Sequence, residues 1–262
     1  MNEKDAPIIG FLSGKGGVGK TNVATNVAVA CATRGARVLV VDGDLGLANV
    51  DTLLGLAPRN TSRELLSGHC AFEEAIVEGP RGIHVLPAGQ GTRRLSDCRP
   101  HQLAPLLVPL FAATRRYDLV LIDIGAGVGE TALGLAACCD LAVLVTTPEP
   151  TSLVDAYATL KALAQEAQLP VEILVNASRS EGDARRTHDH LEKIAKRFLD
   201  LSPAFLGHVP SDDRLAEAVR LQRAVVESFP TAKSSRTLVR VAERLLRTSP
   251  RQPRVLRETS SV

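Results

Sequence analysis

The chain predicts a doubly wound α/β fold: a mainly parallel sheet with helices on both faces. Three observations carry that expectation. Short, near-continuous apolar runs recur along the 262 residues, as strands buried on both faces require. Helix-length segments separate them, and alternation of this kind builds a parallel sheet. The glycine-rich and acidic stretches lie just after the apolar runs, at the strands' carboxyl ends, where open α/β sheets bind ligands.

The elements follow in order. The first strand is read at 7–12, and the Ala- and Val-dense stretch 22–33 as a helix. Residues 37–41 form a strand ending at Asp42-Gly43-Asp44, and 83–87 form a short one. A helix at 101–115 precedes the strand 117–122, which runs into Asp123-Ile124-Gly125-Ala126-Gly127. Helix 129–138, strand 140–145, helix 151–168, strand 171–175, helix 183–198 and strand 204–209 continue the series. Helices at 214–221 and 234–247 close it. No Pro/Gly/Ser-rich linker interrupts 7–210, so the expectation is one domain over 1–248 with a disordered basic tail at 249–262.

Composition bounds the class. A 45% apolar share is ample for a core, but with 3% aromatics and no Trp that core must be aliphatic and Ala-rich. The net charge of +2 is too small by itself to imply nucleic acid or anionic lipid. From residue 214 onward, however, eleven Arg/Lys face four Glu, so the C-terminal fifth is basic. No signal peptide and no run of eighteen apolar residues is present, which predicts a cytoplasmic protein. The five cysteines (Cys31, Cys70, Cys98, Cys138, Cys139) are read as thiols without a disulfide framework. His188-x-His190 is read as solvated helix surface, since i and i+2 do not share a face.

Residues 14–21 read Gly14-Lys15-Gly16-Gly17-Val18-Gly19-Lys20-Thr21. The spacing G-x-x-x-x-G-K-[ST] between a strand and a helix is that of a phosphate-binding loop. The glycines let backbone N–H groups cradle phosphate oxygens, and the following helix adds its positive end. Lys20 is expected on the β/γ-phosphates and the Thr21 hydroxyl on Mg²⁺. Asp123, ending an apolar strand, is placed to hold Mg²⁺, usually through a water.

The string from Lys15 to Thr21 resembles the deviant phosphate loop of the MinD/ParA ATPases. That resemblance implies ATP and Mg²⁺ as cofactors, weak hydrolysis activated by dimerisation, and a homodimer bridged by ATP. It implies that Lys15 reaches the partner's phosphates. Asp123-Ile124-Gly125-Ala126-Gly127 resembles the family's second switch, and 42–51 resembles its first. By that match Asp44 positions the attacking water and Asp42 supports the Mg²⁺ shell. Asn176, after the strand 171–175, matches the family's adenine-reading Asn. Pro210 and Asp212 match the other wall of the base pocket, though Asp212 equally suits a helix N-cap. Asn49 and Asp51 are open between switch roles and turn capping.

Longer stretches narrow the resemblance: 45–56, 148–157, 197–200 and 222–230 are similar to the FlhG/FleN (YlxH-type) flagellar-number ATPases. The implied function is a slow ATPase switch that restrains flagellar biogenesis. The implied partners are a flagellar transcriptional regulator, an FlhF-type GTPase or a C-ring protein. The alternative is a ParA-type ATPase that coats DNA through its basic C-terminal region. An iron–sulfur carrier is disfavoured, because 124–130 holds no Cys and no C-x-x-C occurs. Only Met1–Ala6 precede the first strand, without the Asp-Gln-Ala segment by which some members stimulate the GTPase. The helix 234–247 could lie on anionic lipid at the inner membrane or cell pole, but its position favours packing on the core.

Overall fold

The computed structural model describes residues 5–44, 49–89 and 100–250. Leu45–Ala48 of the first switch, Cys98 and tail residues 251–262 lie outside the described residues. The strands are β1 (Ile8–Leu12), β2 (Val38–Gly43), β3 (Val77–Glu78), β4 (His84–Leu86), β5 (Leu119–Ile124), β6 (Leu141–Thr146), β7 (Val171–Ser178) and β8 (Ala204–Pro210). They form one sheet in the order β3-β4-β2-β5-β1-β6-β7-β8. All neighbours pair in parallel except β3 with β4. The expected mainly parallel, doubly wound sheet is therefore present.

The helices are α1 (Lys20–Ala32), α2 (Val50–Leu54), α3 (Ser62–Leu66), α4 (Ala104–Ala113), α5 (Glu130–Ala137), α6 (Pro150–Glu166), α7 (Glu181–Leu199), α8 (Asp213–Arg220), α9 (Val225–Ser228) and α10 (Lys233–Leu245). Strand alternation sorts the core into two layers. Ile8 and Leu12 of β1, with Val120 and Ile122 of β5, pack against α4, α5, α6 and α7. Ile9 and Phe11, with Leu119 and Leu121, pack against α1 and α10. Both faces of β1 are thus covered, which is why its sequence reads as an unbroken apolar run rather than an alternating one. Gly10 fits here because a Cβ would sit 2.8 Å from Cys139 Sγ.

Several short elements were not anticipated. β3 has two residues, too few for a periodic signal. α3 carries a capping box that the sequence does encode: Thr61 accepts from the Arg63 N–H at 3.2 Å, and Glu64 accepts from the Thr61 N–H at 3.0 Å.

At the C-terminal end, Leu238, Val241 and Leu245 of α10 are buried in the second layer, while Arg236 and Arg240 are exposed. The apolar stripe is occupied by packing, as the helix's position in the sequence favours. His188 corrects the surface reading. It is buried, and its Nε2 donates to the Pro203 carbonyl at 2.9 Å, whereas His190 is exposed. Cys31, Cys70, Cys138 and Cys139 form no disulfide among the described residues.

Candidate nucleotide-binding site

The centre of the sheet's carboxyl edge carries the glycine loop. After Leu12 the chain turns through 13–19 and enters α1 at Lys20, two residues before the predicted start. Gly17 and Gly19 take φ of +80° and +85°, backbone that L side chains rarely adopt. A Cβ on Gly16 or Gly17 would have no atom within 4 Å, so the loop's mouth is open. Gly14 faces the opposite constraint: a Cβ there would lie 2.2 Å from the Asp155 carbonyl carbon of α6. The loop is tied to the second switch through the Gly127 N–H, which donates to the Ser13 carbonyl at 2.9 Å.

Beneath the loop, β2 and β5 place Asp42 opposite Asp123 in register. Lys20 Nζ lies 2.6 Å from Asp123 Oδ1, with both side chains buried (6% and 0% exposed). Asp42 accepts backbone N–H groups from Asp44, Asn49 and Val50 at 3.1, 3.1 and 3.2 Å. Burial and then the charge of Asp123 push Asp42 up to about 7 despite those three donors. Burial also raises Asp123, against the pull of Lys20 and the Thr21 hydroxyl. Lys20, directly on Asp123, favours the charged form of that carboxyl, while burial and the Asp123 charge disfavour the charged form of Asp42. Asp44 lies at the same edge, its Cγ 3.6 Å from where a Gly125 Cβ would stand. The structure therefore brings Lys20, Thr21, Asp42, Asp44 and Asp123 together.

The remaining predicted residues spread over the rim. Lys15 Nζ donates to Glu149 Oε2 at 2.9 Å and Thr151 Oγ1 at 3.0 Å, at the start of α6. Neither partner was anticipated; the signal was their place just after the apolar run of β6. Asn176 donates from Nδ2 to the Val18 carbonyl at 2.7 Å. Pro210 ends β8 opposite Ser178. Asp212 caps α8 by accepting from the Arg214 N–H at 3.0 Å, and its other oxygen accepts from Ser234 N and Oγ at 2.9 Å each. Burial opposes its charge, but the Ser234 and Arg214 donors outweigh it and hold the carboxyl below its usual range. The N-cap is thus the job the structure assigns to Asp212. Asn49 occupies the N-cap position of α2 without a side-chain cap bond, and Asp51 binds its neighbour's Thr52 N–H at 2.7 Å.

The donor set fits a nucleotide with a hard divalent cation. Asp123 Oδ2 is buried without a hydrogen-bond partner, an oxygen that costs free energy unless a ligand meets it. It stands beside a hydroxyl and an ammonium beneath an open, positive-φ loop, and Mg²⁺ takes oxygen ligands of this kind.

The family model of the CobQ/CobB/MinD/ParA nucleotide-binding domain matches residues 9–225. The chain belongs to this MinD/ParA family. Among curated relatives, the antiactivator FleN of Pseudomonas aeruginosa is 37% identical over 91% of this chain and 85% of its own. The flagellum site-determining protein YlxH of Helicobacter pylori is 28% identical over 92% of this chain and 82% of its own. Among solved structures, the septum site-determining protein MinD of Pyrococcus horikoshii, complexed with Mg-ADP, superposes with a TM-score of 0.78. It is 29% identical and covers 92% of this chain and 96% of its own. MinD/ParA membership agrees with ATP and Mg²⁺ as the cofactor pair. No helix among the described residues is long and apolar enough to cross a membrane.

Proposed function

We propose that the chain is a slow, Mg²⁺-dependent ATPase switch whose ATP-bound form is a homodimer, and that this form restrains flagellar number or assembly. The observation that supports it most is the buried Lys20–Asp123–Asp42 group beneath an open glycine loop. In this reading the backbone of Gly14, Lys15, Gly16, Gly17, Val18 and Gly19 cradles the phosphates. Lys20 exchanges Asp123 for the phosphate oxygens. Thr21, Asp42, Asp44 and Asp123 hold Mg²⁺ directly or through water, and Asp44 orients the attacking water. Bound Mg²⁺ supplies neutralisation of phosphate charge. Phosphoryl transfer asks little more of a protein than positioning and charge. Pro210 and Asp212 border the base, with Asp212 acting through its cap.

Lys15 stands at the rim with its ammonium partly exposed, a placement from which it could serve a second subunit. The relatives named FleN and YlxH support the flagellar part. The antiactivator name favours a flagellar transcriptional regulator as partner, ahead of an FlhF-type GTPase or a C-ring protein.

The test is mass by light scattering with ADP, then with ATP and Mg²⁺. The Asp44→Ala variant should double its mass only with ATP, and a folded Lys20→Ala variant should stay monomeric. A mass of Asp44→Ala that ignores nucleotide would end the switch reading.

A further inference from the structure

We infer that Gln222 is a positioning residue of the first switch: its side chain holds the carboxyl end of α2 and so keeps the amino end of that helix on Asp42. The role rests on the nucleotide reading above. It also gives a task to the start of the 222–230 stretch, which the phosphate site leaves unused.

α2 has five residues, too few to be stable on their own hydrogen bonds. It must be held from outside. Val50 and Leu54 are buried in the layer that contains α1. At the amino end, the Asn49 and Val50 N–H groups donate to Asp42 Oδ2 at 3.1 and 3.2 Å. At the carboxyl end, the Thr52 carbonyl accepts from Gln222 Nε2 at 3.1 Å, across 170 residues of sequence. Gly55 closes the helix at a φ of +63°, and a Cβ there would stand 3.5 Å from both the Cβ and the carbonyl oxygen of Gln222.

The backbone of Gln222 makes that contact notable. Its φ is +53°. It follows Leu221, the C-cap of α8; its N–H donates to the Val219 carbonyl at 3.0 Å, and the Arg223 N–H donates to the Ala218 carbonyl at 3.1 Å. This is the Schellman ending, whose left-handed residue is usually glycine. Glycine takes that backbone without strain, whereas a side chain there carries a conformational cost. The bond to Thr52 is what the glutamine side chain adds in return.

The consequence is mechanical. A loosened α2 would take two N–H donors from Asp42 and leave its carboxyl free to turn at the cation site. The glycine loop would be untouched, so the anchor acts on turnover rather than on affinity.

Hydrogen–deuterium exchange of the ligand-free protein, read by mass spectrometry over 49–56, tests the anchor directly. Gln222→Gly removes the side chain and suits the backbone. Gln222→Glu keeps the length but sets a carboxylate against the Thr52 carbonyl. Both should speed exchange over 49–56 by roughly two- to tenfold, the worth of one hydrogen bond. α7, in the other layer, should exchange as in the wild type. Gln222→Gly should unfold at about the same urea concentration, since the strain relieved offsets the bond lost. In steady-state hydrolysis of ATP with Mg²⁺, both variants should lose kcat while KM stays within about twofold.

Unchanged exchange over 49–56 in both variants would overturn the inference. So would an equal rise in α7, the mark of general loosening. A raised KM with kcat kept would overturn it too, because Gln222 would then serve binding. A wild-type chain that hydrolyses no ATP would remove the ATPase reading beneath it, and exchange without ligand would still decide whether Gln222 holds α2.

Discussion

Two lysines of one loop make nearly the same contact at opposite ends of the solvent scale. Lys20 meets Asp123 at 2.6 Å with side chains 6% and 0% exposed; Lys15 meets Glu149 at 2.9 Å with side chains 32% and 66% exposed. The distances are alike, so burial decides what each is worth. Water screens the outer pair, and exposed pairs of this kind contribute about 0–1 kcal/mol. At the inner pair the surroundings exclude water. There the loss of one partner strands the other charge, at a cost of about 3–5 kcal/mol. The inner lysine is tied into the fold until a ligand replaces its partner. The outer one is nearly free to change partners.

The largest effect that would break this comparison is therefore at Lys20. Lys20→Ala should destabilise the ligand-free protein by about 3 kcal/mol in urea unfolding at neutral pH. Adding Asp123→Asn should restore a good part of that, because the stranded charge is gone. A double-mutant cycle measures the coupling. A coupling energy near zero would mean that burial does not set the pair's value.

Next in size is the neighbour without a cation. Asp42 is pushed up from 3.8 to about 7, first by burial and then by Asp123. The sign follows from proton counts. Between roughly pH 4 and pH 7 the folded state holds a proton at Asp42 that the unfolded state has lost, so stability falls as pH rises. Below that window both states are protonated and the cost vanishes; above it the cost is complete. Asp42→Asn lacks the titration, so the variant should gain on the wild type as pH rises from about 4 to about 7, by on the order of 3 kcal/mol. Urea titrations of both proteins without Mg²⁺ or nucleotide across that range give the difference directly. A difference independent of pH would show that Asp42 is ionised throughout.

The same contrast explains what could be read before the structure. The strands of the sheet centre were legible because both of their faces are covered, which forces unbroken apolar runs such as Ile8–Leu12 and Leu119–Ile124. The glycine loop was legible because its chemistry requires fixed spacing. Local devices are encoded but easily passed over: the Thr61 and Glu64 pair spells the capping box of α3, a helix too short to announce itself by periodicity, while Asp212 suits a helix N-cap from its sequence and is one. Contacts between distant segments were not legible. The Glu149 carboxylate comes to Lys15 over 134 residues, and Asn176 comes to Val18 over 158. Only the sheet order brings those segments side by side. His188 misled for a related reason, since the Pro203 carbonyl that satisfies it belongs to the segment leading into β8.

The smallest predicted effect is at the outer pair, and its smallness is the point. Glu149→Gln removes the charge facing Lys15 but leaves an amide oxygen able to accept from Nζ, and the second partner, Thr151 Oγ1, stays at 3.0 Å. Both side chains already reach solvent, so the lysine loses little when its partner is neutralised. Unfolding stability should move by less than about 0.5 kcal/mol, and the change should shrink as salt is raised. A loss of 2 kcal/mol or more would mean that the rim of the loop is held as firmly as its floor. Lys15 would then be a structural residue, and the freedom to change partners that separates it from Lys20 would be gone.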